Sequence, residues 1–113
     1  MTSYTLGLRV KVIRIVDGDT FTGVISQGFD GFRGSDDHPV KVRCALINAP
    51  EMKTPGGLPA KAEAERLLTV GVEYPCTSYK PDEYGRYLLD VQLPDGRLFS
   101  QAMIAAGHAT LYR

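Results

Sequence analysis

The 113-residue sequence predicts a mainly-β α+β domain, a five-stranded OB-fold barrel with two helices packed on it. Three observations carry this. Short runs rich in β-branched and aromatic residues recur along the chain, an Asp-Gly pair joins the first two, and helical periodicity occurs in only two places, after the third run and after the fifth. A parallel α/β sheet would need a helix after nearly every strand.

Residues 8–16 (LRVKVIRIV) and 19–26 (DTFTGVIS) flank Asp17-Gly18 and read as a hairpin, with Gly18 expected to take the positive φ of a tight turn. A polar loop dotted with glycine, 26–39, follows. VKVRCALI (40–47) reads as the third strand, ended by Pro50, which cannot continue a central ladder. Pro59 suits a first helical position, and Ala60, Ala64, Leu67 and Leu68 recur at helical spacing, with Gly71 as the stop. VEYPCTSY (72–79) is a fourth strand whose Pro75 suggests an edge or a bulge. RYLLDVQL (86–93) is a fifth, with Tyr87, Leu89, Val91 and Leu93 on one face. Pro94-Asp95-Gly96 turns the chain, and Ser100 is expected to N-cap a short helix through Ala106, with Gly107 as its C′ residue.

The chain reads as one domain, 1–113, long enough to fold without staples. Lys and Arg number 13, as do Asp and Glu, so no overall positive field draws nucleic acid or an anionic membrane from a distance; any anion site must be local. Cys44 and Cys76 lie in strand-like runs without metal-ligand spacing, which favours two buried thiols over a zinc site or a bridge. Arg9, Lys11 and Arg14 interrupt the N-terminal apolar stretch and argue against a secretory signal, so a cytoplasmic, monomeric protein with no membrane partner is expected.

Asp19 raises a chemical question, because a second carboxylate at the start of a strand does nothing for the sheet. Alternation sets it at the barrel rim, where it needs a cation or a cluster of donors. Arg43, Asn48, Ala49 and Glu51 lie within a few residues of one another, and Tyr84-Gly85-Arg86 supplies another arginine. Together these make a phosphodiesterase set. A hard cation would take Asp19, the Asn48 amide oxygen and the Ala49 carbonyl, while the arginines clamp a phosphate and Glu51 activates or orients water. Strict alternation sets Arg43 and Asn48 on opposite faces, so a bulge or the strand's end must bring them together.

Taken singly, each residue has a plainer reading: Asp19 as an Asx turn, Arg43 and Arg86 as solvated sheet residues, Glu51 as a loop acid, His38 and His108 as structural. Phe29 and Phe32, with Arg33 beside them, are either base-stacking aromatics or a plug against the barrel.

In order and spacing, DGDT, R-x-x-x-x-N-A-P-E, an Ala-rich helix, YGR, a D-G turn and a closing helix with G-x-A resemble the staphylococcal (thermonuclease-like) nuclease family, from about Val10 onward. The resemblance implies an OB-fold and calcium-dependent hydrolysis of DNA and RNA to 3′-phosphate products by water attack. It implies Asp19 as a metal ligand, Arg43, Glu51 and Arg86 as catalytic residues, and Tyr84 and Tyr112 as substrate contacts. Asn48 stands where well-known members have a second metal-binding aspartate, and Ala49 replaces a threonine whose carbonyl binds the metal. Weaker calcium binding, or a shift to Mg2+ or Mn2+, is therefore expected. Glu83 stands where a phosphate-contacting lysine is familiar. The alternative class is a catalytically weak or inactive domain of this type that binds single-stranded nucleic acid or a protein partner.

Overall fold

A computed structural model describes residues 8–27, 31–79 and 86–112. In chain order the elements are β1 (Arg9–Asp17), β2 (Thr20–Ser26), β3 (Phe32–Arg33), β4 (Val40–Cys44), β5 (Ile47–Asn48), α1 (Gly57–Leu67), β6 (Glu73–Tyr79), β7 (Tyr87–Val91), α2 (Phe99–Ala105) and β8 (Thr110–Leu111). Strands run β1-β6-β7-β4-β2, and β1 also pairs with β2, so five strands close into a barrel without a free edge. The β4–β7 pair is parallel and the rest of the barrel antiparallel.

Alternation is what fills the barrel. Val10, Val12, Phe21, Ile25, Val42, Cys44, Leu89 and Val91 are buried, and Ala60, Ala64 and Leu68 of the α1 segment join Phe99, Ala102 and Met103 of α2 in the same core. Register shifts in β1 between Val12 and Arg14 and between Ile15 and Asp17 are bulges that curve the strand around the barrel. Both cysteines are free and buried, and burial pushes the Cys76 thiol up to about 12.

Several expectations need correction. The third strand stops at Cys44, not at Pro50, because Leu46 adopts φ 74° and turns the chain; Ile47 and Asn48 then pair with β8 instead. Pro75 marks neither an edge nor a bulge. It sits where β6 passes from pairing with β1 (Arg9↔Pro75) to pairing with β7 (Cys76↔Val91), a point where a missing N–H is tolerated. The first helix begins at Gly57 and ends near Leu68, before Gly71. Ser100 is not the N-cap of α2; that position is Leu98, whose N–H is met by the Gln101 side chain at 3.2 Å. Gly107, with φ 79°, does follow the end of α2 as expected. Phe32 is 67% exposed and so is no plug. Phe29 lies outside the described residues.

No helix among the described residues is long and apolar enough to cross a membrane.

Candidate nuclease site

The β1–β2 hairpin turns through Gly18 and Asp19, with Asp17 paired to Thr20. Gly18 is required for closeness and not for a positive φ: a Cβ there would lie 2.7 Å from Ala49 Cβ and 2.9 Å from Ala60 Cβ. That close approach brings the residue 49 backbone onto the turn. The Ala49 N–H donates to Asp19 Oδ2 at 2.8 Å, and Thr20 Oγ1 bonds Asp19 Oδ1 at 3.0 Å. Asp19 is thereby held at the barrel mouth with only 8% of its surface exposed.

Arg43 approaches the carboxylate oxygen that also accepts from Ala49. Its Nη1 donates to the carbonyls of Cys44 (2.8 Å) and Ile47 (3.0 Å). Its Nη2 donates to Asn48 Oδ1 and lies 3.6 Å from Asp19 Oδ2. The Leu46 turn makes this possible. By reversing the chain at a left-handed residue, at a cost of about 1–2 kcal/mol, it brings Ile47 and Asn48 back onto Arg43, which simple alternation forbids. The Tyr112 N–H secures that turn by donating to the Leu46 carbonyl at 2.7 Å, and the Tyr112 ring lies 5.3 Å from the guanidinium carbon.

Glu51 follows on the same segment. Its carbonyl accepts from Thr54 N (2.9 Å) and Thr54 Oγ1 (2.6 Å), and Gly57 packs so tightly on it that a Cβ would come within 2.2 Å. The backbone is thus fixed while the carboxylate stays exposed, 3.8 Å from Lys53 Nζ, a surface pair worth little. Arg86 immediately precedes β7 and is half-buried. Leu88 pairs with Arg43 across β4–β7, so alternation returns Arg86 to the sheet face that Arg43 occupies. Asp19, Arg43, Asn48 and Ala49 therefore converge by direct contact, Arg86 shares the sheet face of Arg43, and Glu51 stands on the adjoining loop. Tyr84 lies outside the described residues.

Sequence reasoning passed over Asp17, which it assigned to the turn. Its Oδ1 accepts from the Asp19 N–H at 3.1 Å. Burial, and then the neighbouring Asp19 carboxylate, hold its own carboxyl above the usual range. The signal was present, since DGDT carries two acids two residues apart across a turn. Among the described residues, no three His, Cys, Asp or Glu side chains group closely enough to hold a metal. The donors at the mouth are all oxygens from carboxylates, an amide and backbone, a set that suits a hard cation and not zinc or copper.

Comparison with known proteins identifies the family. A family model described as staphylococcal nuclease homologue matches residues 41–113. Proteins named "uncharacterized endonuclease" in Escherichia coli O157:H7 and in Escherichia coli are each 32% identical over 102 residues, covering 90% of this chain. The chain spans about 60% of the length of those relatives. The chain belongs to the staphylococcal nuclease homologue family.

Proposed function

We propose that this protein is a metal-dependent, sugar-nonspecific nuclease that hydrolyses phosphodiester bonds in DNA and RNA by water attack and leaves 3′-phosphates. The supporting observation is the Arg43 guanidinium. It is anchored by two carbonyls beside the Asp19 carboxylate, at the mouth of a barrel in a chain of this family.

Asp19, the Asn48 amide oxygen and the Ala49 carbonyl would hold a hard divalent cation, calcium first, with Asp17 adding negative charge beside them. When bound, such a cation polarises a phosphoryl oxygen and offsets the charge that develops on it. The protein's own groups do the rest. Arg86 binds the phosphate through its guanidinium, Arg43, whose Nη groups are held by Cys44, Ile47 and Asn48, sets its positive charge beside it, and both stabilise the more negative transition state. Glu51, exposed on its anchored loop, orients the attacking water and accepts its proton. Tyr112 keeps the Arg43 fork in plane, and Tyr84 contacts substrate phosphate. Asn48 in place of an acid lowers the ligand charge, which would weaken calcium affinity by roughly one or two orders of magnitude and admit magnesium or manganese.

The second reading, a weak or inactive domain that binds single strands, draws on one observation: the Asn48 oxygen already accepts from Arg43. Digestion of an end-labelled oligonucleotide by the purified protein in calcium separates the two. Fragments ending in 3′-phosphate support the nuclease; a bound but intact oligonucleotide supports the binding domain.

A further inference from the structure

On the outer face of the barrel the side chains stand in rows that cross the strands, because residues paired in a sheet point to the same side. The row at the candidate site holds Asp17, Thr20 and Arg43, from β1, β2 and β4. Past the buried row of Ile15, Phe21 and Val42 comes a second outward row, made of Arg14, Thr22 and Lys41. Two residues along a strand separate the outward rows by roughly 6–7 Å. Arg14 and Lys41 are exposed on either side of the half-buried Thr22, and neither has a hydrogen-bond or ion partner among the described residues. The other cations of β1 differ: Arg9 pairs with Glu73 at 3.0 Å and Lys11 with Asp36 at 2.6 Å.

The third outward row is closed. In it Lys11 pairs with Val24, Asp36 neutralises the Lys11 ammonium, and Val24 keeps only 9% of its surface exposed. Asp36 belongs to a fixed turn: the Ser35 N–H donates to the His38 carbonyl and the His38 N–H to that of Ser35, at 3.1 Å each, with Asp36 and Asp37 exposed at the tip. We propose that Arg14, Thr22 and Lys41 form a second phosphate seat for single-stranded nucleic acid, one link along from the phosphate at Arg43, and that the Asp36 turn ends the track there. The identity of the ligand rests on the nuclease reading, and the seat on the row. Two unpaired cations flanking a hydroxyl attract an anion, and the spacing of the rows is close to that of successive phosphates in an extended strand. Asp36 takes the place on Lys11 that a third phosphate would need, and its turn repels one. Charges cancel over the whole chain, so a short track of this kind supplies the local positive field that a strand requires.

The test is fluorescence anisotropy of the full chain with a labelled eight-nucleotide oligothymidylate in chelator, at several salt concentrations. The plot of log affinity against log salt should become shallower by about 0.7 in Arg14→Gln and by as much in Lys41→Gln, each binding about three- to tenfold more weakly. Arg14→Lys and Lys41→Arg keep the charge and should restore the slope. Asp36→Asn frees Lys11 and should steepen the plot by a similar amount, while Asp37→Asn, an equal charge change in the same turn, frees no cation and should leave it unmoved. All four positions are exposed, and a thermal melt checks that each variant is folded. Slopes unmoved in both glutamine variants would overturn the seat. An Asp36→Asn slope no steeper than that of Asp37→Asn would overturn the end of the track. Cutting in calcium by a chain whose slopes do not move would remove the seat and leave the nuclease reading. Slopes that move as expected in a chain that cuts nothing would do the reverse, and no binding at all removes the seat.

Discussion

Two aspartates are buried among the described residues, and they do different work. Asp19 lies at the barrel mouth, bonded to a backbone N–H and a hydroxyl, with the Arg43 guanidinium 3.6 Å away. Asp90 lies in β7 with no exposed surface, accepts from the Ser100 N–H at 3.1 Å and from the Ser100 hydroxyl, and has the Cys44 thiol 3.9 Å off. It ties the first turn of α2 to the barrel from outside the helix, as an N-cap borrowed from another strand. Both carboxylates are costly to desolvate and both are met by donors. What separates the two is access: the Arg43 side chain beside Asp19 keeps 13% of its surface exposed, whereas Asp90 has none.

Exchanging the guanidinium for an ammonium sharpens this contrast most. Arg43→Lys keeps the charge but loses the fork that bonds Cys44, Ile47 and Asn48, and cleavage should fall by about 10²- to 10³-fold with the fold retained. Rate measurements on an oligonucleotide, beside a thermal melt, check it. At the sealed aspartate the pattern reverses. Asp90→Ala strands the Ser100 N–H and empties the seat, and should cost roughly 2–3 kcal/mol in urea denaturation while the rate per folded molecule changes less than about threefold. An Asp90→Ala chain that loses rate but not stability would break the comparison.

Smaller effects follow. Asn48→Asp restores a carboxylate to the oxygen set and should tighten calcium binding about tenfold by calorimetry; unchanged affinity would remove Asn48 from the ligands. The pH dependence of stability tests Asp90 as well. Burial holds the Asp90 carboxyl above its ordinary range, so its favourable contribution is complete below the unfolded value and is lost as pH rises through the folded one. Asp90→Asn should therefore flatten the fall in stability with rising pH across that window, and an unchanged slope would contradict this.

Much of this was legible in the chain. The barrel strands, both helices and the buried faces of Ala60, Ala64, Leu89 and Val91 followed from periodicity, because burial on one side leaves a period in the sequence. The convergence of Arg43 and Asn48 was foreseen through a bulge or the strand's end, and the strand does end at Cys44, but the left-handed Leu46 that turns the chain there was not. A leucine at φ 74° carries no signal, since tertiary contacts such as the Tyr112 N–H bond hold it there. Ser100 looked like a cap and Asp90 drew no reading of its own; their bond joins positions ten apart across a loop, and local pattern cannot register it. Gly18 was assigned to the right turn for the wrong reason, as its partner is Ala49, far along the chain.

The most direct test is incubation of purified protein with single- and double-stranded DNA and RNA in calcium, magnesium, manganese or chelator, with Glu51→Gln alongside. Cutting of both sugars that needs the metal, stops with chelator and falls about 10²- to 10⁴-fold in Glu51→Gln is the predicted result. Digestion that persists in chelator, or that Glu51→Gln performs as well as the parent, would contradict it.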